Sequence, residues 1–81
     1  MPRYHFNVKD GSNYPDIEGK ELPDLSRARQ EAVRLAGRLL LDEPSTFLNG
    51  SDWRVDVADA GGLALFRLVF TAVDAPVPAA A

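Results

Sequence analysis

Cysteine is missing from the chain, so neither a disulfide nor a thiolate-bound zinc can brace the fold, and a reducing compartment is its natural setting. Histidine occurs once, as His5, and one imidazole with carboxylates makes a poor transition-metal site. Long apolar runs are missing as well. The leucine run Leu39-Leu40-Leu41 ends at Asp42-Glu43, far short of the roughly 20 residues of a membrane helix. The opening MPRYHFNVKDG alternates polar and apolar residues and does not follow the basic, apolar, small-residue series of a signal peptide. A cytoplasmic protein with no membrane contact is therefore expected.

Clustered basic residues are scarce too. The net charge is −3, spread unevenly: residues 1–9 sum to +2, residues 10–24 to −4 and residues 25–43 to +1. A general polyanion binder would show grouped Lys and Arg and a high isoelectric point. The 81 residues suffice for one domain, and a domain of that size buries only about 60–65% of its unfolded surface. Its core must be simple and continuous.

What the sequence does have is clear periodicity. In Arg3–Lys9, Tyr4, Phe6 and Val8 alternate with polar residues, which predicts a strand with one wet face. Asp10-Gly11 ends it in a turn. Ile17–Leu22 reads as a marginal edge strand, limited by Gly19 and Pro23. Leu25–Glu43 reads as a helix capped by Asp24. At 100° per residue Leu25, Ala28, Ala32, Val33, Leu35, Ala36, Leu39 and Leu40 fill one arc, opposite Ser26, Arg27, Gln30, Glu31, Arg34, Arg38 and Asp42.

Three helix residues break that pattern. Leu41 points to the polar side, Arg29 falls inside the apolar arc, and Gly37 costs about 1 kcal/mol relative to alanine unless something packs closely on it. Pro44 stops the helix, and Ser45–Asp52 reads as a loop with Asn49-Gly50 as its turn. Trp53, Val55 and Val57 then alternate with Arg54, Asp56 and Ala58 as a second clear strand. Asp59–Gly62 supplies a hairpin turn, and Leu63–Phe70 returns as a third.

These segments assemble into an α+β domain over residues 1–70. A small antiparallel sheet, three clear strands plus the marginal edge, carries one α-helix on one face in the order β-(β)-α-β-β. Residues 71–81 read as a flexible Ala- and Pro-rich tail. The helix covers Tyr4, Phe6, Val8, Trp53, Val55, Val57, Phe66, Leu68 and Phe70, because one helix covers only one side of a sheet.

In order and spacing these motifs resemble a short bacterial, mainly alphaproteobacterial, family of domains of unknown function. The family pattern opens M-P-R-Y-x-F-x-V-x-D-G and runs through an acidic E-L-P-D stretch into an A-R-x-E-A helix. It closes with a strand, a D-x-x-G turn and a final strand. The matching segments are MPRYHFNVKDG, DIEGKELPD, ARQEA, WRVDVAD and LALFRLVF. The resemblance implies the fold and a bacterial origin, and no activity.

Five carboxylates, Asp10, Asp16, Glu18, Glu21 and Asp24, crowd residues 9–24, but not at the repeat of a calcium loop, and Pro15 stiffens the middle. No metal and no cofactor is expected. Asp16, Glu18 or Asp10 is instead a candidate partner for Arg29 in a structural ion pair; the alternative is that Arg29 reaches past the edge of the core. The serines form no nucleophile motif, no glycine loop cradles a phosphate, and an enzyme is not expected. The uncovered sheet face is the candidate interaction surface, with Arg3, His5, Lys9, Arg54 and Arg67 around Leu65 and Val69, and Asp56 as its lone acid. A protein partner or a second copy of the chain fits its apolar centre and polar rim. Nucleic acid is the alternative, weakened because the aromatics alternate onto the other side.

Overall fold

The alternation in RYHFNVK resolves as strand β1, Arg3–Lys9, in a computed structural model that describes residues 1–49 and 52–74. The chain reverses through Gly11, at φ 100°, into β2, Asn13–Tyr14, which pairs antiparallel with the end of β1. It then runs back beside β1 to β3, Lys20–Glu21, which pairs with Arg3 and Tyr4. The edge strand expected over Ile17–Leu22 shrinks to the two-residue β3, and β2, outside that range, adds a second short rung at the other end of β1. Pro15 supplies no N–H between them, and Gly19 holds a φ of 72° that breaks an extended run.

Helix α1 spans Leu25–Asp42, with Asp24 Oδ1 accepting from Arg27 N at 2.9 Å. The loop expected over Ser45–Asp52 is instead a second helix, α2, Pro44–Asn49. Pro44 ends one helix and opens the next, since proline loses nothing at the first helical position. Phe47 N donates to the Glu43 carbonyl at 3.1 Å. The Phe47 ring stands edge-on to Trp53, with centroids 5.6 Å apart, and tilts onto Phe70 at 5.8 Å. Gly50 of the expected turn, and residues 75–81 of the expected tail, lie outside the described residues.

Strands β4, Trp53–Ala58, and β5, Ala64–Phe70, form the hairpin the alternation predicts. Asp59 Oδ1 accepts from Gly61 N and Leu63 N, both at 2.9 Å, and Gly62 takes a φ of 88°. The antiparallel sheet runs β2-β1-β4-β5, with β3 also on the outer side of β1. This is the expected α+β fold, one main helix on one face of the sheet.

The core gathers Tyr4, Leu22, Ala28, Ala32, Ala36, Val55 and Val57, ringed by Phe6, Val8, Leu25, Leu35, Phe66, Leu68 and Phe70. Three buried alanines let α1 approach the sheet closely, and each fully buried valine contributes about 1.5–3 kcal/mol. Val33, expected in the core arc, is 57% exposed. The arc is wider than the sheet beneath it, so its margin on the β5 side stays uncovered.

Candidate functional site on the open sheet face

Strand register decides which side chains meet on the uncovered face. Asn7 and Arg67 stand on either side of Asp56, while Lys9 and Val69 stand on either side of Arg54. Asp56 is buried, at 8% exposure, and draws three cations. Arg67 Nε donates to Oδ1 at 2.7 Å; Arg54 Nε lies 3.3 Å and Lys9 Nζ 3.9 Å from Oδ2. The Arg54 contact is an ion pair too misaligned to be a hydrogen bond, which leaves its buried Nε–H without a hydrogen-bond partner among the described residues. Removing Asp56 from water is costly unless such partners offset it.

Both arginines meet Asp56 through Nε. Their terminal Nη atoms have no hydrogen-bond acceptor among the described residues. Beside them lies an open depression of about 450 Å³, lined by Lys9, Arg54, Arg67, Val69, Asp52 and the Gly11–Asn13 turn. Three cations there face two carboxylates, Asp52 and Asp56. Leu65 and Val69 are exposed on the same face.

Arg3 and His5, expected in this cluster, are held apart from it. Arg3 Nη1 donates to the Glu18 carbonyl at 2.8 Å, and its Nη2 lies 3.8 Å from Glu21 Oε2. His5 Nδ1 lies 2.8 Å from the Asp16 carbonyl; a carbonyl only accepts, so this contact places the proton on Nδ1. Gly19 makes the arrangement possible. A Cβ there would come within 2.9 Å of the Arg3 and His5 side chains and of the Tyr4 carbonyl. The expected face therefore divides into a cationic end and an end covered by the acidic segment.

Asp16 organises that segment. Its Oδ2 accepts from Phe6 N at 3.1 Å and its Oδ1 from Gly19 N at 3.0 Å, while its own N–H donates to Asn7 Oδ1 at 2.8 Å. Among the described residues Arg29 makes no ion pair with the expected Asp16, Glu18 or Asp10. The Arg29 guanidinium instead lies over the Phe66 ring, 5.0 Å from its centroid. The acidic segment packs along β1, whereas Arg29 faces β5 on the other flank of α1. Stacking on an aromatic face resolves the cost of a cation beside apolar neighbours.

Sequence reading named Asp56 only as the lone acid, not as the hub. Its signal was the Arg54-x-Asp56 spacing, which puts both side chains on one face of a strand. A second pairing ties the acidic segment to α1: Glu31 accepts from Lys20 Nζ at 3.1 Å and from Arg34 Nη1 at 2.9 Å. The Lys20 hydrogen bond, with Arg34 behind it and partial burial opposing, lowers the Glu31 pKa below the ordinary glutamate value. Among the described residues no three His, Asp or Glu side chains gather as a metal would require, and no helix is long and apolar enough to cross a membrane.

A family model for a domain of unknown function, DUF6894, matches residues 3–71, from the start of β1 to just beyond β5. The chain belongs to the DUF6894 family. The match takes in every element that builds the Asp56 cluster, so the cationic depression lies wholly within the DUF6894 domain. No curated protein and no solved structure matches the chain. What this DUF6894 domain does must therefore be argued from its own geometry.

Proposed function

We propose that this DUF6894 domain is a non-enzymatic interaction module that holds an acidic segment of a partner protein on its open sheet face. The observation that carries this reading is the attachment of Arg54 and Arg67 to Asp56 through Nε. That anchoring leaves planar Nη pairs directed away from the hub, the geometry that receives a carboxylate through two parallel hydrogen bonds. Lys9 adds a point charge, and the exposed Leu65 and Val69 offer apolar contact beside the charges. The depression is shallow and open, unlike the enclosed clefts that hold small substrates, which supports a binding role over a catalytic one.

The same chemistry weighs against the other occupants of this face. A second copy packed face to face would set Lys9, Arg54 and Arg67 against their own kind. A nucleic acid strand would want exposed rings on this face for base stacking, whereas Tyr4 and Trp53 are buried and Phe6, Phe66 and Phe70 pack around the core under the helix. The exposed Tyr14 pairs with Val8 and so shares the helix side of the sheet.

The test is fluorescence anisotropy with two labelled probes, a peptide alternating Glu and Leu and a single-stranded oligonucleotide of equal charge. The peptide binds at low salt, and Arg54→Glu with Arg67→Glu abolishes that binding. A domain that binds the oligonucleotide and ignores the peptide, or a peptide affinity untouched by the double substitution, overturns the reading.

A further inference from the structure

Among the described residues β5 pairs with β4 alone, so alternate residues of a seven-residue strand present unpaired N–H and C=O groups outward. Natural edges are blunted by lysine, proline, bulges or brevity. The opposite side of the sheet is blunted in that way, by two-residue strands on either side of Pro15. ALFRLVF has neither lysine nor proline, and its one charge, Arg67, is tied to Asp56. Its one irregularity is the register shift at Leu65 near its start, which leaves Phe66–Phe70 regular.

We propose that two copies of the chain pair β5 antiparallel to β5 across a two-fold axis, joining their sheets into one. The register supports a self-complementary contact. With the axis at Leu68, Phe66 stands opposite Phe70 of the second copy, Leu68 opposite Leu68, and Arg67 opposite Val69. The like-charge pairing of Arg67 with itself, which is destabilising when directly opposed, is avoided.

The flank above β5 fits the same contact. The core thins toward this edge: Val55 and Val57 are fully buried, while Phe66, Leu68 and Phe70 are only half-buried. Arg29 rests on Phe66, which fixes the helix flank that looks over β5. At 100° per residue Val33 and Leu40 fall within about 40° of Arg29. Val33 is exposed on that flank, an apolar side chain that a second helix drawn close would cover.

The spacing permits it. Helix α1 packs on both β4 and β5. A helix lying over the interval between them sits one strand spacing from the axis, so two such helices come about 10 Å apart, close to ordinary helix packing.

This dimer is made through the β5 edge and the helix flank above it. Arg67 and Val69 border both it and the acidic-segment site, but Val33 belongs to the dimer contact alone, which makes the two separable. Sedimentation equilibrium of the full chain from micromolar to millimolar concentration should show the mass doubling, in high salt as in low. Amide exchange should slow at alternate residues of β5 as concentration rises. Val33→Glu, with circular dichroism unchanged, should weaken the dimer about tenfold or more, through a carboxylate forced into an apolar contact, and leave the Glu-Leu peptide bound. A chain that stays monomeric throughout, or a dimer whose β5 amides exchange independently of concentration, overturns the proposal. Slow β5 exchange in a monomer does so too, by placing some other segment on the edge.

Discussion

Arg67 donates its Nε to Asp56 Oδ1 at 2.7 Å from the directly paired position on the neighbouring strand. The pair is the fixed point of the open face, because Asp56 is buried while Arg67 remains about half exposed. Its carboxylate serves three cations at once, so its loss cannot be confined to one contact.

Asp56→Ala should therefore lower stability by about 1–3 kcal/mol. That is less than the cost of breaking a fully buried pair, because the partners are partly solvated. Urea unfolding measures it. A double-mutant cycle with Arg67→Ala should return a coupling of about 0.5–2 kcal/mol, and an additive cycle would mean the pair contributes nothing.

Asp16 and Gly19 should behave as one unit. Asp16→Ala removes the acceptor of two backbone N–H groups, at about 1–3 kcal/mol. Gly19→Ala strains a left-handed residue and presses on Arg3 and His5, also at about 1–3 kcal/mol. Both should shift the His5 ring resonances, and unperturbed His5 spectra would contradict the assigned contact.

Arg29 should prove nearly dispensable. Arg29→Ala loses the ring contact, at most about 1 kcal/mol, and Arg29→Leu should keep the fold at equal or higher stability. The cycle pairing Arg29→Ala with Asp16→Ala should show no coupling in thermal unfolding. A coupling above about 1 kcal/mol would restore the ion pair.

Glu31 sets an acid dependence. Its pKa is lowered in the folded chain by Lys20 and Arg34, so its stabilisation is complete above the unfolded value, about 4.3. It disappears as pH falls through the lower folded value. The stability gap between wild type and Glu31→Gln should hold at neutral pH and close well below pH ~4. A gap that widens with acid would reverse the assignment.

Trp53 has a buried indole N–H with no partner among the described residues. Trp53→Phe removes that donor while keeping a ring against Phe47 and Phe70, so it should stay within about 1 kcal/mol of wild type. Trp53→Ala should cost about 3–5 kcal/mol. Denaturant midpoints distinguish the two.

The long elements were legible because each repeats one period. Tyr4, Phe6 and Val8 mark β1, the buried alanines mark α1, and Asp24 marks its start. What escaped depends on contacts across the fold. Pro44 reads as a stop until Phe47 finds Trp53 and Phe70 to hold a second helix. Arg29 reads as needing an acid because sequence order places the acidic segment before the helix, while packing puts the two on opposite flanks. The open face was named residue by residue, but Arg3 and His5 leave the cationic group only because Gly19 brings a distant carbonyl within reach. Helical and strand periods are local; these contacts are not.

The pairing of His5 with Ala58 and Lys9 with Arg54 joins β1 to a strand about fifty residues later, at the centre of the sheet. The β4–β5 hairpin can form from neighbouring residues alone, but β1 has its main partner only after the helices and β4 have emerged from the ribosome. Folding is then limited by closing that long loop. Until it closes, the Tyr4-Phe6-Val8 stripe stays without its main neighbour, an apolar strand exposed to aggregation for as long as its partner is still being made.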